Sequence, residues 1–144
     1  MNQPVSFEEY LEEYGTLTYT SKGTSMEPLL REGRDLFTVA RKEAARCHVG
    51  DAVLFRWNGN YVLHRVIAVR EKDYICLGDN AMNPEVGVTD ADILGVMTGF
   101  VRKGKEYSTD DPCVRAYTAW ILRTRGARVL EKRLKAKIRG VLRK

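Results

Sequence analysis

Between residues 16 and 101 the chain is a succession of short runs rich in apolar, β-branched and aromatic residues, each closed by a turn signal. That pattern predicts strands. The runs are 16–21 (TLTYTS), 35–40 (DLFTVA), 51–57 (DAVLFRW), 61–70 (YVLHRVIAVR), 74–77 (YICL) and 93–101 (ILGVMTGFV). Asn58-Gly59-Asn60 favours a primed turn, so the third and fourth runs should form a hairpin. Ahead of them, Phe7, Tyr10, Leu11 and Tyr14 recur at helical spacing. Ser6, with Glu9 three residues later, reads as the cap of a short helix over 6–13. After residue 112 the period changes. Val114, Tyr117, Trp120 and Ile121, then Leu130, Leu134, Ile138 and Val141, recur at spacings of three and four. They predict helices over 113–124 and 127–143, broken near Gly126. The expected fold is mainly β, a coiled sheet or small partly open barrel with a short helix before it and a helical tail after it.

Charge divides the chain at the same place. Residues 113–144 hold 11 Lys/Arg against the single acid Glu131, a net of +10, whereas residues 1–112 hold 13 Lys/Arg against 18 Asp/Glu, a net of −5. The domain expectation is therefore a body over 1–112 and a basic amphipathic tail over 113–144. Three readings of the tail stay open. It packs its apolar stripe on the body, it lies on an anionic membrane surface, or it binds nucleic acid. The last is the least favoured, because no aromatic residues are interleaved with the cations of 122–144. The length of 144 residues suits one domain with an appendage. The cysteines Cys47, Cys76 and Cys113 stand singly, with only His48 and His64 to join them, which argues against structural zinc or a disulfide framework. No run approaches the ~18 apolar residues of a membrane span. Glu8, Glu9, Glu12 and Glu13 argue against a signal peptide in the first twenty residues. The expected location is the cytoplasm, with peripheral attachment to the membrane face open through the tail, and no cofactor or metal is expected.

Three places carry chemistry. Ser25 lies in a tight loop after a strand, framed by Gly23 and Pro28. A nucleophilic serine needs an accessible hydroxyl and nearby backbone amides to receive an oxyanion, and such a loop supplies both. His64 sits in an otherwise apolar strand, where alternation puts it on one face with Val62 and Val66, and Leu63 with Arg65 on the other. A neutral imidazole there can take the serine proton. Gly78-Asp79-Asn80, with Glu85 six residues beyond Asp79, offers carboxylates to orient the histidine. Each alone is a common turn or sheet residue; the order in which they occur is far more specific.

Gly-Thr-Ser-Met-Glu-Pro (23–28), Gly50-Asp51-Ala52-Val53-Leu54-Phe55, His64-Arg65-Val66 and Gly78-Asp79-Asn80 resemble, box by box, the signal peptidase I family, within the superfamily that includes the LexA-like self-cleaving repressors. The resemblance runs from about Thr16 to Val101. It implies a LexA/signal-peptidase-like coiled sheet and a serine endopeptidase that cleaves leader or signal-type peptides, binding a peptide or preprotein as an extended strand. His64-Arg65 resembles the archaeal and endoplasmic-reticulum form, in which histidine replaces the bacterial lysine base. By that pattern Ser25 and His64 are catalytic. Asp79 matches the box and Glu85 takes the place of a second, downstream acid; either could orient His64, and Asp79 is favoured as necessary, directly or structurally. The family often has a serine where Gly23 stands, so the oxyanion hole would rest on the Ser25 amide with Thr24, in the loop that continues to Met26. The rival reading is a catalytically silent or self-cleaving LexA-like module that binds peptides.

Overall fold

The computed structural model describes residues 5–142. Helix α1 (Phe7–Tyr14) begins at Ser6, whose hydroxyl accepts the Glu9 amide at 3.1 Å, and ends on Gly15 in the left-handed conformation. Eight antiparallel strands follow: β1 (Thr16–Thr20), β2 (Leu36–Arg41), β3 (Ala52–Trp57), β4 (Asn60–Val69), β5 (Tyr74–Leu77), β6 (Glu85–Val88), β7 (Ile93–Arg102) and β8 (Lys105–Ser108). Their order in the sheet is β1-β2-β7-β3-β4-β5-β6, with β8 paired to the outer half of β7. The hairpin between β3 and β4 turns on Asn58 and Gly59, both at positive φ as a primed turn requires. The mainly β expectation is met, and six strands lie where the pattern placed them. β6 and β8 were not expected, and both are four-residue strands.

Both faces of the sheet are covered. In β3, Ala52 and Leu54 point to one core with Leu11, Met26 and Val39. Val53 and Phe55 point to the other with Val66, Tyr74 and Cys76. Ala52 to Phe55 are all buried for that reason, as expected of a strand sandwiched between two apolar layers.

Helix α2 (Pro112–Leu142) corrects the expected break, since it runs unbroken through Gly126. The expected end at residue 143 lies outside the described residues. Val114 and Ile121 of its first half are buried. Gly50, at φ +102, lies against it, with a Cβ position only 3.2 Å from the Thr118 side chain. Beyond Lys132 every described residue of the helix is exposed. No helix among the described residues is long and apolar enough to cross a membrane.

Candidate active site

The loop after β1 turns on Gly23, whose φ of +72° favours a residue without a side chain. Thr24 is exposed, Ser25 half-buried and Met26 buried in the core, so Met26 anchors the loop while its neighbours face outward. The loop is tied to the turn after β5. The Asn80 amide donates to the Ser25 carbonyl at 2.8 Å, and the Asn80 side chain donates to the Thr24 carbonyl at 3.1 Å. The Ser25 amide forms no hydrogen bond within the chain among the described residues.

His64 comes to the same turn from β4. A Cβ built on Gly78 would stand 2.6 Å from the Ser25 carbonyl oxygen and 2.9 Å from His64 Nε2. Only glycine leaves room for the loop and the imidazole to meet there. The other ring nitrogen, Nδ1, contacts Glu85 Oε1. Strand register explains why: Val66 pairs with Cys76 and Cys76 with Glu85, while His64 lies two residues before Val66 and so on the same face. The side chains of His64 and Glu85 are 13% and 11% exposed. A carboxylate on Nδ1 favours the tautomer with its proton there, which in the neutral ring leaves Nε2, on the side of the Ser25 loop, as the acceptor. Beneath them, burial and then the charge of Glu85 push the Cys76 thiol up to about 12.

Asp79 is in the site but turned from the histidine. Its oxygens accept from Arg65 Nε at 2.7 Å and Nη2 at 2.8 Å, a bidentate pair with side chains 3% and 0% exposed. Tyr117 on α2 donates to the same carboxylate at 2.8 Å, and Arg128 to the Asp79 backbone carbonyl. Arg65 Nη1 also donates to the Gly50 carbonyl at 2.7 Å. Every hydrogen-bonding side-chain atom fully buried among the described residues has a partner. Of the two acids left open for orienting His64, Glu85 makes the contact, and Asp79, favoured as necessary directly or structurally, holds the turn through Arg65. Gly78, Arg65, Tyr117 and Arg128 were not singled out as site residues. Alternation along β4 set Arg65 opposite His64, but nothing local to it announced its partner.

Ser25, Met26 and His64 line one cleft of about 530 Å³. Tyr19–Lys22 form part of one wall and Asn60–His64 part of the other. β4 pairs with β3 along Asn60–Arg65 and with β5 only from Arg65 onward, so its edge at Asn60–His64 is unpaired toward the cleft. The far end is closed by Phe7, whose ring lies 4.8 Å from Tyr19 and 4.5 Å from Tyr61. Among the described residues no three His, Cys, Asp or Glu side chains converge as a metal site would need. No family model matches the chain, and comparison with curated proteins finds no significant match.

Proposed function

We propose that the chain is a serine endopeptidase of the signal peptidase I kind, in its Ser/His form with a LexA-like core, and that it cleaves extended leader or signal-type peptides. One observation carries the reading: an imidazole held at Nδ1 by a carboxylate presents Nε2 to the Ser25 loop, across a glycine that leaves no side chain between them. Ser25 Oγ attacks the scissile carbonyl carbon. Its proton passes to His64 Nε2, and Glu85 keeps the ring oriented and stabilises the imidazolium. The carbonyl oxygen, now carrying negative charge, is met by the Ser25 amide, with Thr24 beside it. His64 then protonates the leaving amine. Water, deprotonated by the same nitrogen, releases the acyl group and restores the serine.

The substrate enters as a strand. The open edge of β4 offers backbone donors and acceptors to an extended peptide, and the cleft walls receive alternate side chains. The test is labelling with a serine-reactive phosphonate, followed by mapping of the modified residue and assay of Ser25→Ala on a peptide library. The expected label is on Ser25. The variant should lose several orders of magnitude in rate with stability changed by about 0.5 kcal/mol or less. Undiminished cleavage by Ser25→Ala overturns the assignment.

A further inference from the structure

The second half of α2 has an apolar face with nothing in the fold to cover it. Leu130, Leu134, Ile138 and Val141 follow one another at spacings of four, four and three, so they share a face, and they are 60%, 52%, 57% and 64% exposed. The buried Val114 and Ile121 belong to a different face of the helix. The stripe is flanked by Arg133, Lys135 and Lys137, and Lys132 and Arg139 add charge from the opposite side of the same turns. Among these, only Lys135 has a carboxylate partner within the described residues, Glu131 at 2.9 Å.

We propose that residues 129–142 dock in the plane of an anionic lipid surface, with the leucine and isoleucine side chains in the headgroup–acyl boundary and the cations among the headgroups. Charge complementarity selects this occupant. An exposed apolar stripe alone would suit a second copy of the helix, but paired copies would bring the same cations together without counter-charge. Bare cations alone would suit nucleic acid, but four large aliphatic side chains in the contact face have no role on a phosphate backbone. A surface that is both apolar and negative uses both features. The acidic body, at −5 over residues 1–112, would be turned from such a surface by the same field. The docking is independent of the peptidase chemistry.

The experiment is co-sedimentation of the full chain with vesicles of phosphatidylcholine alone and of equimolar phosphatidylcholine and phosphatidylglycerol, at low and high salt. The anionic vesicles should bind the chain at least ~10-fold better than the neutral ones, and salt should erase most of the difference. Leu134→Asp with Ile138→Asp changes two exposed positions, so circular dichroism should show the body folded while binding falls by at least ~10-fold. The proposal is overturned if the double variant binds as well as the parent, if the parent ignores anionic vesicles, or if it forms a dimer that vesicles do not dissociate. Binding to duplex DNA in preference to the anionic vesicles also overturns it.

Discussion

Two acids six positions apart have separate work, and substitution should divide them. Glu85 meets His64 with little else to hold, so Glu85→Gln should leave the fold intact and lower the turnover rate by up to about 10⁴, the scale for replacing an orienting carboxylate with an amide. Asp79→Asn instead strips the counter-charge from Arg65, which is 2% exposed, and should cost about 3–5 kcal/mol of stability. Paired measurements of rate and urea midpoint on the two variants check this. A stable, inactive Asp79→Asn beside a fully active Glu85→Gln would return the orienting role to Asp79. The sequence made Ser25, His64 and the 78–80 turn legible because each lies inside a compact local motif. Which carboxylate reaches the ring was not legible, since it depends on the β5–β6 pairing, and β6 itself carries too little pattern to be seen. In EVGV, Val86 is exposed and Val88 buried around a glycine at φ +95, and four residues give alternation little to work with.

At the scale of elements, the predicted break in the tail marks where local preference and tertiary structure part. A glycine inside a helix costs roughly 1 kcal/mol relative to alanine, which flanking residues of good helix propensity can absorb. Arg128 also bridges across the position, donating to the Ile121 carbonyl at 2.6 Å on one side of Gly126 and to Asp79 in the body. Gly126 is exposed and a Cβ there meets nothing within 4 Å. Gly126→Ala should therefore stabilise the protein by up to about 1 kcal/mol. A thermal melt followed by far-ultraviolet circular dichroism should shift upward by a few degrees, and a downward shift would mean that the glycine serves a bend. β8 was missed for a different reason. Its KEYS sequence is polar and lies at the sheet margin, where only Tyr107 turns inward to stack on Phe100 with ring centroids 5.1 Å apart. The Ser6 cap and the hairpin were legible, by contrast, because Ser6, Asn58 and Gly59 act on their immediate neighbours.

Across the whole molecule, one buried carboxylate ties distant parts of the chain. Asp35 accepts from the Arg31 amide at 2.8 Å, from Arg34 at 2.9 Å through both Nε and Nη2, and from the Lys103 amide at 3.0 Å, which joins the segment after the Ser25 loop to the β7–β8 turn. The Arg34 guanidinium, aided by the two amides against the effect of burial, holds its carboxyl down to about 2. An unfolded chain titrates this group near ~3.9. The folded value is the lower one, so the contribution is fully present above the unfolded value and is lost as pH falls through about 2. Arg34 is 30% exposed, and solvent screening leaves a contribution of about 1–2 kcal/mol. Asp35→Asn should lower the urea midpoint near neutral pH, and its gap from the parent should close as the pH is lowered from ~4 toward ~2. A gap that is constant with pH would assign the loss to packing.

The unpaired edge of β4 at Asn60–His64 has a further consequence for the protein as a population of molecules. On the proposed reading, a site that takes its substrate through backbone groups would take any extended chain, including misfolded neighbours and other copies of itself. Concentrated, idle protein would then be its own competitor and its own seed for aggregation, and a bound peptide would shield the edge it occupies. For a peptidase of that kind, crowding and substrate supply would set the working fraction as surely as the rate constants do.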